Sequence, residues 1–88
     1  MAEYEIEVRI TPRRGLLDPQ GKAVENALRS MEFDGVADVH VGRLIRLRLE
    51  APTPDEARAR ADAMCRRLLA NPVTEDYEIG VSETAGSA

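Results

Sequence analysis

The sequence predicts an α+β fold: a two-layer sandwich in which a mostly antiparallel four-stranded sheet carries two helices on one face, with ferredoxin-like βαββαβ connectivity. Three observations support this prediction. Several segments have apolar residues at every second position, which is typical of half-buried strands. Two other segments have apolar residues at helical spacing behind a polar cap and a proline. Along the chain these segments follow the order strand, helix, strand, strand, helix, strand.

The first half begins with a strand over residues 4–10, where apolar and charged residues alternate until Pro12 interrupts the pattern. Asp18 and Pro19 predict the start of the first helix, because aspartate caps free amides and proline fits the first helical position. Gly35 is expected to close this segment. The helix has one apolar stripe, made up of Ala23, Val24, Ala27, Leu28 and Met31.

A hairpin is predicted next, with a second strand over 36–41, a turn at 42–43 and a third strand over 44–50. In this topology the first and third strands are central antiparallel neighbours. Opposite charges would therefore face each other on the open side of the sheet, with Glu5 and Glu7 near Arg46 and Arg48.

The second helix begins at Thr53, which forms a capping box with Glu56, and ends before Asn71 and Pro72. A fourth strand is predicted over 77–81. The buried stripe of the second helix is expected to comprise Ala57, Ala61, Met64, Cys65 and Leu68.

Length and charge limit the possible functions. The 88 residues suffice for one domain, expected over 1–82, with a flexible tail at 83–88. A net charge of −4 lacks the basic field that nucleic-acid binding requires, so no nucleic-acid partner is expected. No apolar run is long enough to span a membrane, no signal peptide is evident, and a single cysteine agrees with a reducing, cytoplasmic location.

The sequence contains little that points to catalysis. One histidine, His40, and one cysteine, Cys65, do not suggest a nucleophile with an oriented base, nor a metal-ligand set. The segment 15–23 is a near miss for a phosphate loop: five residues separate its glycines, and Ala23 stands where a serine or threonine is needed. We therefore expect no catalytic, cofactor or metal site in this chain.

Five polar residues remain as candidates for contacts with a partner, because they lie in loops or next to element ends. The adjacent guanidinium groups of Arg13 and Arg14 are suited to binding an anion or a partner's carboxylates. With respect to an anion, the simpler interpretation is that the two side chains lie in a solvated loop and bind none. The candidates are Arg13, Arg14, Asp18, Gln20 and Asn71.

Three segments, 17–24, 41–43 and 68–79, resemble signatures of one family, the PurS subunits of phosphoribosylformylglycinamidine synthase. The resemblance extends from about Tyr4 to Val81, so that 1–82 would be one PurS-like domain. Arg43 stands where that family often has lysine, and Thr74 where it often has isoleucine.

The resemblance implies a non-catalytic subunit of an ATP-dependent ligase of purine biosynthesis. That complex converts formylglycinamide ribonucleotide and glutamine to formylglycinamidine ribonucleotide and glutamate. The small subunit would form a homodimer or homotetramer, bridge a glutaminase and a large synthetase subunit, and assist ammonia transfer. ATP and magnesium would bind to the synthetase subunit.

Two alternatives from other classes stay open at this stage. One is a regulatory module of similar topology that binds a small molecule. The other, ranked lower, is a small phosphatase of the acylphosphatase type. Such an enzyme needs an arginine-bearing anion loop after the first strand, and residues 13–15 resemble that loop only weakly.

Overall fold

The computed structural model describes residues 1–84. Within these residues, three strands and two helices form the fold, and a π-helical stretch follows the second helix directly. In chain order the elements are β1 (Ala2–Pro12), α1 (Pro19–Ser30), β2 (Arg43–Ala51), α2 (Pro54–Met64), the π turn (Cys65–Leu69) and β3 (Glu75–Glu83).

The sheet is antiparallel and has the order β2-β1-β3, with β1 in the centre. Its register confirms the predicted charge pairs: Glu5 lies opposite Arg48, and Glu7 lies opposite Arg46. The Nε atom of Arg46 is 3.6 Å from a carboxylate oxygen of Glu7. The neighbours of β1 are those of a ferredoxin-like sheet that lacks one edge strand.

The predicted four-stranded sheet is wrong, because residues 36–41 form no strand. Asp38 has a φ of +54°, in the left-handed region, which an extended strand does not tolerate. The backbone groups of this segment bind to α1 instead: Val41 donates its N–H to the Asp18 carboxylate at 2.9 Å, and Arg29 donates to the Val36 carbonyl at 3.0 and 3.2 Å. Local partners thus satisfy groups that a fourth strand would have paired across a ladder.

Both helix starts follow the prediction. The Asp18 side chain accepts a hydrogen bond from Gly21 N–H at 3.1 Å, and the Thr53 hydroxyl accepts one from Glu56 N–H at 3.1 Å. Helix α1 ends at Ser30, earlier than Gly35, although Gly35 does take the left-handed φ of +86° expected of a glycine there.

The hydrophobic core lies between α2 and the inner face of the sheet, mainly beneath β1. Ala57, Ala61 and Cys65 of the predicted stripe are fully buried there, and the side chains of β1 that they cover are Tyr4, Ile6, Val8 and Ile10. Leu68 is an exception, since 83% of it is exposed. The π turn widens the helix after Met64 and changes its phase, so Leu68 leaves the buried stripe.

Helix α1 is not part of this core. It makes at most a marginal contact with α2 or any strand, and none of its apolar residues is buried. Four of the five stripe residues are instead exposed, including Val24 at 42% and Met31 at 66%, and Leu28 is half-buried. The expectation that both helices cover one sheet face is therefore met by α2 and not by α1.

At the C-terminal end, β3 includes Glu83, and Thr84 donates its N–H to the Glu3 carbonyl at 3.0 Å. These two residues belong to the predicted tail, 83–88. The rest of that prediction, 85–88, lies outside the described residues.

The close approach of two backbones at Gly42 generates a prediction. A β-carbon there would collide with the Ile10 carbonyl oxygen, which cannot move away without breaking β1. Gly42→Ala should therefore lower stability by about 1–3 kcal/mol or more, measured by thermal unfolding.

Gly80→Ala is the matched control, because a β-carbon at Gly80 meets nothing closer than 3.9 Å. That change should be neutral or slightly stabilising, since alanine loses less backbone entropy in a strand. Equal losses in both variants would contradict the close approach at Gly42.

Candidate functional site

An open cleft of about 650 Å³ lies at the end of β1. Three segments that are distant in sequence line it: part of 12–20, residues 41–43, and residues 74–75. These are the segments on which the sequence resemblance rests, together with the loop before α1. The fold therefore brings the most characteristic parts of the chain to a single surface.

The Asp18 carboxylate joins two of these segments. One oxygen accepts the Gly21 N–H, and the other accepts the Val41 N–H and lies 3.3 Å from Nδ1 of His40. The hydrogen bond from Gly21, followed by that from Val41 and the contact with His40, lowers the pKa of Asp18 below its ordinary value. The carboxylate is thus committed to structural bonds and is unsuited to proton transfer near neutral pH.

Gly21 makes this junction possible. A β-carbon at Gly21 would collide with the Val39 carbonyl oxygen and crowd the Asp18 carboxylate. The first turn of α1 can therefore lie directly against the backbone of 39–41 only because this residue has no side chain.

A bidentate ion pair also lines the cleft. The Arg43 guanidinium donates to both carboxylate oxygens of Glu75, at 2.7 and 3.0 Å, and also to the Leu69 carbonyl at 2.7 Å. Asn71 N–H donates to Glu75 at 2.8 Å. The hydrogen bond from Arg43 has the largest effect on Glu75, followed by that from the Asn71 N–H, and both hold the pKa of Glu75 below its ordinary value. This network ties β2, the π turn and the start of β3 together.

The cleft gathers some of the predicted contact residues. Asp18 and Gln20 line it directly. Asn71 does not line it but donates its N–H to the lining residue Glu75, and its side chain accepts the Val73 N–H at 3.0 Å. Arg13 is adjacent: its N–H donates to the Thr74 carbonyl at 2.9 Å, and its Nε lies 3.4 Å from Asp76. Arg14 is exposed and contacts no acidic side chain within residues 1–84.

Sequence reasoning missed Arg43 and Glu75. In the sequence Arg43 is part of a predicted turn and of a segment that resembles the family, and nothing in its spacing shows that it meets a residue 32 positions later. The pairing follows from the antiparallel neighbours of β1, which bring the start of β2 and the start of β3 to the same end of the sheet.

Two other side chains that can react, those of Cys65 and Tyr77, are held in contacts that belong to the fold. Cys65 is fully buried, and that burial raises the pKa of its thiol. The Tyr77 hydroxyl donates to the Asp62 carboxylate at 2.6 Å, a bond that raises the pKa of Tyr77.

Within residues 1–84, no group of three histidine, cysteine or acidic residues is placed to hold a metal ion. No helix in this part of the chain is long and apolar enough to cross a membrane.

Comparison with known proteins gives consistent similarities. A family model described as PurS, phosphoribosylformylglycinamidine (FGAM) synthase, matches residues 5–83. The PurS subunit of Bacillus subtilis phosphoribosylformylglycinamidine synthase is 40% identical over 80 residues, which cover 91% of this chain and 94% of that protein. The corresponding subunit of Synechocystis is 39% identical over 84 residues, or 96% of this chain and 84% of that protein.

Solved structures agree with the sequence matches. Bacillus subtilis PurS has a TM-score of 0.79 at 38% identity, covering 91% of this chain and 99% of that one. A chain in the structure of PurLQS from Thermotoga maritima has a TM-score of 0.84 at 29% identity, covering 93% of this chain and 100% of that one.

The role of Asp18 as a cap gives a first prediction for this site. Asp18→Ala removes the acceptor for two backbone amides and should lower the melting temperature by about 4–8 °C. Asp18→Asn retains a capping oxygen and should lower it less. The capping account is wrong if Asp18→Ala leaves the melting temperature unchanged while abolishing nucleotide binding.

The Arg43–Glu75 pair gives a prediction about pH. Because the pKa of Glu75 is lowered in the folded state, its contribution to stability is present above its ordinary value of 4.5 and disappears as the pH falls through the folded value. Glu75→Gln should therefore lower the melting temperature by about 2–5 °C at neutral pH, and the difference from the parent protein should disappear in acid.

Arg43→Gln provides the control for this prediction. In that background Glu75 has lost its main partner, so adding Glu75→Gln should produce a much smaller difference at neutral pH. A difference of the same size in both backgrounds would mean that the ion pair is not its origin.

Proposed function

This chain belongs to the PurS family of phosphoribosylformylglycinamidine synthase, and on that premise we propose that it bridges a glutaminase subunit and a large synthetase subunit. In this role it holds the two enzymes together and assists the passage of ammonia from one to the other. The complex would use ATP and magnesium on the synthetase subunit, in the cytoplasm. Residues 1–82 would form the PurS-like domain.

The observation that carries the proposal is the convergence of the family's segments on the cleft at the end of β1. The charged groups of this cleft have partners within the chain: the Asp18 carboxylate accepts the N–H groups of Gly21 and Val41, and the Glu75 carboxylate pairs with Arg43. Groups held in this way shape a surface and do not supply a free acid, base or nucleophile. A rigid, shaped surface is what a docking subunit requires.

The assembly context supports the same role. A chain of matching fold occurs in the structure of PurLQS from Thermotoga maritima, so a relative of this chain exists within a larger assembly. We infer that the cleft and the adjacent loop with Arg13 and Arg14 form the docking surface. The exposed guanidinium of Arg14 would then face carboxylates on a partner subunit.

The phosphatase alternative finds no support in this loop. Arg13 is directed to Asp76, and the Asp18 carboxylate stands at the start of the adjacent helix, where an anion would otherwise bind. A negative charge already occupies that position.

A reconstituted mixture tests the bridging role. Without this chain, glutamine-driven synthesis should fall sharply, whereas synthesis from added ammonia should continue, because free ammonia reaches the synthetase site by diffusion. This chain alone should hydrolyse neither glutamine nor ATP. If both rates fall equally when the chain is omitted, it contributes to the synthetase site itself and the bridging proposal is wrong.

The docking surface is tested by charge reversal at Arg13 and Arg14 together. If they face acidic partner surface, the double change to glutamate should weaken complex formation, and the loss should grow at low salt, where repulsion is least screened. Sedimentation of the mixed subunits measures this directly.

Arg66 and Arg67 offer a matched control pair. They too are adjacent and exposed, and Arg66 has an acidic neighbour, Asp62, at 2.9 Å, as Arg13 has Asp76. Reversal of this pair changes the net charge equally but leaves the cleft intact. Equal weakening by both double variants would show a general effect of net charge and contradict docking at Arg13 and Arg14.

A further inference from the structure

Leu17 is an exposed apolar side chain at the cleft to which the fold gives no apolar partner. It lies directly before the Asp18 cap, lines the cleft at the end of β1 and is 84% exposed. An apolar residue just before a cap commonly packs on the fourth residue of the helix. Here that residue is Lys22, whose ammonium group lies 3.6 Å from the Glu25 carboxylate. The start of α1 therefore has no hydrophobic staple, and Leu17 is left exposed.

Val73 is a second exposed apolar side chain at the same cleft. It is 74% exposed in the turn before β3, and the next residue, Thr74, lines the cleft. The turn is held by Asn71, whose carbonyl accepts the N–H groups of Thr74 and Glu75 and whose side chain accepts the Val73 N–H. Turns of this kind favour small and polar residues. The valine side chain is thus not needed to form the turn.

The charged groups of the cleft have no capacity left for a charge on a partner. The Asp18 carboxylate accepts two backbone N–H groups, and the Glu75 carboxylate is paired with Arg43. A charged side chain that entered the cleft would lose its hydration without gaining a free counter-charge. The lining also includes the apolar residues Pro12 and Leu16. The chemistry that complements this surface is therefore apolar and uncharged.

We propose that the cleft binds an uncharged apolar segment of a partner subunit, and that Leu17 and Val73 are the side chains that hold this segment. The inference rests on the proposed function and specifies the chemistry of that docking surface. A volume of about 650 Å³ accommodates several side chains. Gln20 and Thr74 also line the cleft and supply neutral polar groups for the backbone of the bound segment.

The arginines beside the cleft have a different role in this contact. Arg13 and Arg14 are exposed in the same loop as Leu17, where charges steer the approach of a partner and increase the association rate. Substitutions within an interface act mostly on the dissociation rate. The lifetime of the complex should therefore depend on Leu17 and Val73, whereas salt should act through the arginines.

Surface plasmon resonance tests this with the full chain immobilised and the glutaminase and synthetase subunits passed over it, singly and together. The double variant Leu17→Gln, Val73→Thr should raise the dissociation constant by at least about 30-fold, mainly through faster dissociation. The factor should be the same at low and high salt, since no charge changes. Because both side chains are exposed, the melting temperature and the mass of the isolated chain should not change.

Leu68→Gln is the matched control. Leu68 is 83% exposed, against 84% for Leu17, but it lies on the π turn and does not line the cleft. The same change of side chain at this position should leave the dissociation constant unaltered.

Three results would overturn the inference and leave the bridging role standing. One is a double variant that binds as tightly as the parent protein, which would assign the affinity to charged groups. Another is an equal loss in Leu68→Gln, which would show a general effect of surface apolarity. The third is a changed mass of the isolated double variant, which would make the cleft a contact between copies of this chain. A parent chain that binds neither subunit, even when both are present, would contradict the bridging role as well.

Discussion

The Asp18 carboxylate is the interaction on which the arrangement of this molecule depends. It caps α1 through Gly21, holds the backbone of Val41, and lies beside His40. A single side chain thus determines where the helix begins, where the next segment runs, and how one wall of the cleft is shaped. Because Gly21 permits direct backbone contact, the junction is rigid without a large apolar core around it.

This constraint explains why residues 1–84 form only three strands. Once residues 36–41 bond to α1, they are unavailable as an edge strand, and α1 remains with the loop instead of the sheet. The core that is left is small and depends on close contact between alanines of α2 and the aliphatic side chains of β1. The Arg43–Glu75 pair then links the outer strands at one end of the sheet.

Much of the fold could be predicted from the sequence, because β1, β2, β3 and both helix caps follow from local periodicity and capping chemistry. The register of Glu7 with Arg46 followed from topology in the same way. The stretch 36–41 could not be predicted, since its valines resemble a strand whereas its hydrogen bonds depend on Asp18, about 20 residues earlier. At the site, the sequence identifies Asp18 and Gln20 as candidates for partner contacts, but it does not identify Arg43 and Glu75, because their meeting is a property of the assembled sheet.

The central claim is that the cleft at the end of β1 is the surface that this family member offers to its partner subunits. Hydrogen–deuterium exchange on this chain, alone and together with the glutaminase and synthetase subunits, tests it most directly. The account predicts slower exchange on assembly in 12–20, 41–43 and 71–75, with little change in the centre of α2. Protection confined to other segments, with these three unchanged, would contradict it.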